Sequence, residues 1–137
     1  MTVRWMHGGG TMRRMRVATI ALAALATAAC DGRKDEFAQA GQLTGGDAYH
    51  GQKLAARYGC GSCHSIPGIP GAAATVGPPL TGVGGRGYIA GTLPNTPQNM
   101  VDWIYDPPAV SPNTAMPNLG MSRQEARDIA AYVYTLK

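Results

Sequence analysis

The stretch that decides the fold is Gly59-Cys60-Gly61-Ser62-Cys63-His64. Two thiols three residues apart, followed at once by an imidazole, form the C-x-x-C-H pattern of covalent haem attachment. The spacing has a chemical cause. Both thiols add to the two vinyl groups of one porphyrin, and the next residue then falls beneath the iron. Cys60 and Cys63 are therefore the expected attachment points and His64 the expected iron ligand. Two rivals share part of the pattern. A thioredoxin-type redox pair wants a strand before the motif and a helix opening on its first Cys. Here a helical pattern ends just before the motif, and Gly/Pro loops follow. Half a zinc site would need two more Cys or His, but His7 lies in the leader and only His50 remains.

Outward from the motif, three helices can be placed by mechanism. The first runs from about Asp47 to Tyr58, with Asp47 accepting the free N–H groups of the opening turn and Gly59 closing the far end. The second starts at Thr96-Pro97 and puts Met100, Trp103 and Ile104 at i, i+3, i+4 before Asp106-Pro107-Pro108 stops it. The third opens on Ser122-Arg123-Gln124-Glu125, a capping box, with Ile129, Tyr132, Val133 and Leu136 on one stripe. No segment alternates with period two, so the fold class is all-α. The residues from Ser65 to Asn95 carry eight Gly and no clear element. So long a loop fits a compact domain only if the chain wraps a large apolar cofactor that serves as core.

A second iron ligand must come from elsewhere in the chain. Met100 lies on the apolar stripe of the second helix, and Met121 directly precedes the cap of the third, so both read as packing residues. Met116 sits in Ser111-Pro112-Asn113-Thr114-Ala115-Met116-Pro117, a loop stiffened by Pro. A thioether held there opposite His64 suits a His/Met iron. His50 reads as plain helix surface.

The formal charge of +4 reports mainly the first residues. Arg4, Arg13, Arg14 and Arg16 precede residue 17, while all eight Asp and Glu follow residue 30, leaving eight basic residues against them. That balance gives no footprint for nucleic acid. Residues 1–29 read as an export signal, basic and then apolar from Val17 to Ala29, a run too short to span a bilayer easily. Thr27-Ala28-Ala29-Cys30 resembles a bacterial lipobox, which makes Cys30 the expected lipidation site and the mature N-terminus. Thr27 departs from the usual Leu. Lipidation also accounts for the odd one of three cysteines in an oxidising compartment. Residues 30–45 then read as a lipidated end and a flexible tether, polar or small from Asp31 to Thr44, with a reach of about 20 Å as random coil. The expected location is the bacterial periplasm, at the membrane.

Residues 46–137 resemble the class I cytochrome c family over their whole length. The match is ordered: Gly51 at a helix crossing, Cys60-x-x-Cys63-His64, Gly77-Pro78-Pro79-Leu80, Gly85-Arg86, Trp103-Ile104-x-Asp106-Pro107, Thr114-Ala115-Met116-Pro117, and Ile129-x-x-Tyr132. Gly91-Thr92-Leu93-Pro94-Asn95-Thr96-Pro97 looks most like the cytochrome c domain fused to subunit II of some bacterial haem–copper oxidases. The resemblance implies one covalent haem c inside three main helices and Gly/Pro-rich loops. It implies that the Pro78 carbonyl accepts His64 Nδ1–H, that Arg86 binds or shields a propionate, and that Trp103 packs beside the Met116 side of the ring. The chain departs from the oxidase subunit in lacking a copper-binding Cys-rich domain and a pair of transmembrane helices.

The function expected from these features is single-electron transfer without catalysis, in a periplasmic respiratory chain, for example to a terminal oxidase. Its partners would be redox proteins and, through the lipid, a membrane. One alternative is the cytochrome subunit of a periplasmic dehydrogenase. Another is a haem sensor or peroxidase whose Met dissociates, although no distal acid/base His follows His64.

Overall fold

The computed structural model describes residues 32–137, and every structural statement below concerns those residues. They form five helices: α1 over 32–44, α2 Ala48–Arg57, α3 Pro97–Tyr105, α4 Pro107–Val110 and α5 Arg123–Tyr134. The expected caps are in place. Asp47 accepts from the amides of Tyr49 and His50, Thr96 accepts from Asn99, and Ser122 and Glu125 close a reciprocal capping box on α5. Gly59 follows α2 at φ +70°, the left-handed conformation that Gly adopts without a side-chain clash.

The centre of the fold is the crossing of α2 and α5. A Cβ built on Gly51 would lie 1.8 Å from the Asp128 carbonyl oxygen, so the backbones touch where no side chain fits. Leu54, Met100, Val101, Ile129 and Tyr132 fill the adjoining core, each nearly inaccessible to solvent. The mostly helical architecture agrees with the all-α expectation.

Three details differ from the sequence reading. Residues 32–44, expected to be flexible tether, are helical, and the compact unit runs from Asp35 to Lys137 rather than starting at residue 46. The physical reason is a narrow stripe hidden in a polar sequence. Phe37 stacks at 4.4 Å on Tyr49 and lies 6.4 Å from Tyr132, Ala40 is buried, and the Thr44 hydroxyl donates to the Arg127 carbonyl at 3.1 Å. Glu36 pairs with Lys137 at 3.2 Å. Second, Asp106-Pro107-Pro108 stops α3 at Tyr105 as expected, but the two prolines also open a further single turn, α4, since Pro suits a first turn whose amides need no intrahelical acceptor. Third, the long loop contains a 3-10 turn, Val83–Gly85, and a two-stranded antiparallel hairpin pairing Tyr88–Ile89 with Leu93–Pro94. Two residues per strand are too few for any alternation to be visible. No described helix is long and apolar enough to cross a membrane. Cys30 and the export signal lie outside the described residues.

Candidate haem site

The C-x-x-C-H motif occupies one tight turn. After Gly59, the 3-10 segment Cys60–Ser62 is closed by the amides of Cys63 and His64, which both donate to the Cys60 carbonyl at 3.3 and 3.0 Å. Cys60 and Cys63 are free thiols, both partly exposed. Burial pushes the Cys60 thiol upward, the opposite of the depressed thiol that a disulfide-exchange pair needs. Gly61 packs against Ala72, where a Cβ would meet the Ala72 methyl at 2.7 Å.

The imidazole of His64 is held from two sides. Its Nδ1 donates to the Pro78 carbonyl at 2.7 Å, as the family resemblance implies. A carbonyl can only accept, so Nδ1 carries the proton and Nε2 is the basic nitrogen left for a metal. Gly77 covers the ring so closely that a Cβ there would lie 2.4 Å from Cε1. Two backbone bonds fix this arrangement, Gly77 N to the Cys63 carbonyl at 2.7 Å and Leu80 N to the Ser65 carbonyl at 2.9 Å. The segment with Gly77 and Pro78 is thus laced directly to the motif.

The three methionines after the motif separate by environment. Met100 and Met121 are 2% and 5% exposed in the core, so neither thioether is available to a cofactor. Met116 is partly exposed in an irregular loop, where its amide donates to the Thr114 hydroxyl at 3.1 Å. Two free thiols on one turn, an imidazole with Nδ1 engaged and one accessible thioether make a donor set that fits haem c.

The remaining expected neighbours are more ordinary in position. Arg86 is exposed, and its Nη2 donates to the carbonyls of Pro79 and Thr81 at 2.7 and 3.0 Å, bracing the segment that presents Pro78. Trp103 is half-buried against the core. His50, read as plain surface, donates through Nδ1 to the buried Asp128 carboxylate at 2.7 Å. Asp128 also receives the Asp47 amide and the Gln124 side chain, so it ties the start of α2 to α5.

Asn95 and Tyr132 both lie in runs quoted from the sequence, but their polar contacts to the long loop were not expected. The Asn95 side-chain amide donates to the carbonyls of Val83 and Arg86, and its oxygen accepts from the Tyr134 hydroxyl at 2.8 Å. The Tyr132 hydroxyl donates to the Pro67 carbonyl. Together they pin the loop to α5. A lone Asn among turn residues gives no signal of such a role, because its partners are backbone groups far away in sequence.

Comparison with known proteins agrees with this geometry. The cytochrome c family profile matches residues 48–137. A cytochrome c oxidase subunit 2 from Alkalihalophilus pseudofirmus is 34% identical over 91 residues, 66% of this chain and 26% of that protein. The chain therefore spans about a quarter of the length of that relative. No solved structure matches. The motif, the imidazole clamp and the family match lead to one conclusion: this chain belongs to the cytochrome c family, with haem c as its covalent cofactor.

Proposed function

We propose that this protein is a single-electron carrier of a periplasmic respiratory chain, held at the membrane by a lipid on Cys30. Cys60 and Cys63 are the haem attachment sites, and His64 and Met116 are the two iron ligands. The haem iron, when bound, supplies a one-electron couple. The chain's residues do the rest. Pro78 fixes the His64 tautomer and raises its basicity, Gly77 sets the ring orientation, and Arg86 braces the loop that carries both. With haem bound, Arg86 would additionally shield a propionate and Trp103 would pack beside the cofactor. If His64 and Met116 both held the iron, no position would remain for substrate, which favours electron transfer over catalysis.

The observation that carries this reading is the division of the methionines, with Met100 and Met121 consumed by the core and Met116 left accessible. A terminal oxidase is the proposed acceptor, supported by the likeness to an oxidase subunit. Potentiometric titration of the purified holoprotein should give a single one-electron step, and carbon monoxide should leave the reduced spectrum unchanged. Carbon monoxide binding at equilibrium would instead support the sensor or peroxidase reading. In Cys60→Ala/Cys63→Ala, no covalent haem should form.

A further inference from the structure

The Pro78 carbonyl fixes the His64 imidazole, yet it belongs to a segment with no helix or strand of its own. No regular backbone ladder holds that carbonyl in place, so its position depends on side chains. The nearest brace is Arg86, whose Nη2 donates to the Pro79 and Thr81 carbonyls at 2.7 and 3.0 Å. Arg86 is itself exposed in a loop. A long, exposed side chain can hold a neighbour only where its own backbone is already ordered.

Asn95 supplies that order. Its Nδ2 donates to the Val83 carbonyl at 2.9 Å and to the Arg86 carbonyl at 2.8 Å, and its backbone amide donates to the Gly87 carbonyl at 3.0 Å. Two carbonyls can only accept, so they identify the amide nitrogen and leave Oδ1 as the acceptor. Oδ1 receives the Tyr134 hydroxyl at 2.8 Å. Both side-chain N–H groups of Asn95 are thus spent on the one turn that ends in Arg86. Tyr134 is the last residue of α5, and the same turn is docked there a second time. The Gly84 amide donates to the Leu136 carbonyl at 3.1 Å, and a Cβ on Gly84 would lie 2.9 Å from the Tyr134 oxygen. Hydrogen bonds therefore run without a break from α5 through Asn95 and Arg86 to the residues on either side of Leu80.

We propose that Asn95 is a positioning residue for the haem iron: anchored on Tyr134, it holds Arg86, and through Arg86 it sets the hydrogen bond from His64 Nδ1 to the Pro78 carbonyl. This rests on the reading of His64 as an iron ligand. The stronger that bond, the more basic Nε2 becomes and the more it favours ferric over ferrous iron. Loosening the relay therefore raises the reduction potential.

The test compares holoproteins by potentiometry, by NMR exchange of the His64 ring N–H in the ferrous state, and by guanidinium unfolding. Asn95→Leu keeps the approximate size of the side chain and removes both donors. It should shift the ferric/ferrous equilibrium toward ferrous by roughly three- to tenfold, the range of one ordinary hydrogen bond, and speed ring N–H exchange similarly. Tyr134→Phe should act in the same direction by less. The double variant should match Asn95→Leu, because the hydroxyl acts only through Asn95. Thr44→Val, which removes the bond to the Arg127 carbonyl elsewhere in the fold, should lower stability and move neither the potential nor the exchange. An Asn95→Leu protein that loses stability with potential and exchange unchanged overturns the proposal. So do shifts that add in the double variant, or an equal shift in Thr44→Val. Should Asn95→Leu yield no holoprotein, Tyr134→Phe decides alone, and an unmoved potential there overturns the relay. The wild-type titration separates the two readings: no one-electron step defeats the carrier, whereas a step that these variants leave in place defeats the relay alone.

Discussion

Gly51→Ala adds one methyl group at the tightest point of the molecule. The new Cβ would lie 1.8 Å from the Asp128 oxygen, 2.4 Å from its carbonyl carbon and 2.9 Å from the Ile129 nitrogen, all backbone atoms of α5. Ordinary contact requires roughly 3.5 Å, so α2 and α5 must part by well over an ångström. Helix propensity favours Ala over Gly by about 1 kcal/mol. Overpacking opposes it by about 1–3 kcal/mol or more. Separation also strains the Asp128 carboxylate, which holds the Asp47 amide at 2.9 Å and His50 at 2.7 Å, bonds to a charged group worth about 1.5–3 kcal/mol each. The net expectation is a loss of about 3–5 kcal/mol out of the 5–15 typical of a domain. Guanidinium unfolding of the holoprotein at neutral pH measures it. Gly87→Ala is the control, since a Cβ there meets nothing within 4 Å and should shift stability by less than about 0.5 kcal/mol. A Gly51→Ala protein within about 1 kcal/mol of wild type would refute the crossing as described.

Three other perturbations test separate parts of the structure. Gly77→Ala should displace the His64 imidazole, and the ring N–H, protected in the wild type by Pro78, should exchange roughly tenfold faster by NMR, the equivalent of losing about 1.4 kcal/mol. Glu125 is held down to about 2, first by the Ser122 backbone N–H and then by the Ser122 hydroxyl. A depressed carboxyl contributes stability above its unfolded value of 4.5 that is lost as pH falls toward 2, so Glu125→Gln should flatten that part of the acid limb in pH-dependent unfolding. Cys30→Ser should leave the spectrum unchanged and abolish detergent-dependent, salt-resistant membrane association, whereas a mature N-terminus other than Cys30 by mass spectrometry contradicts the anchor.

The haem motif, the three main helices and their caps were legible because each rests on short-range chemistry. Asp47, Thr96 and Ser122–Glu125 announce helix starts by accepting amides two or three residues away. Gly51 and Pro78 were legible only through the family pattern, since the partners they meet, Asp128 and His64, are distant in sequence. The helix at 32–44 was missed for the same reason. Its polar residues suggest coil, and its order comes from Phe37 on Tyr49 and from Thr44 on Arg127, contacts that exist only once α2 and α5 are assembled. The reach expected of a random coil over residues 31–44 therefore does not apply to the helical 32–44. His50 gave no clue of its tie to Asp128, because an exposed helical His reads the same with or without a buried partner.

Ligation by Met116 is the claim on which the carrier reading depends most, and the ferric absorption spectrum addresses it directly. Methionine sulfur on ferric haem gives a weak long-wavelength charge-transfer band. The wild-type protein should show it, Met116→Ala should lose it while retaining covalent haem, and Met100→Leu, a volume-conserving change in the core, should keep it. A band that survives Met116→Ala, or disappears in Met100→Leu, would contradict the proposed ligation.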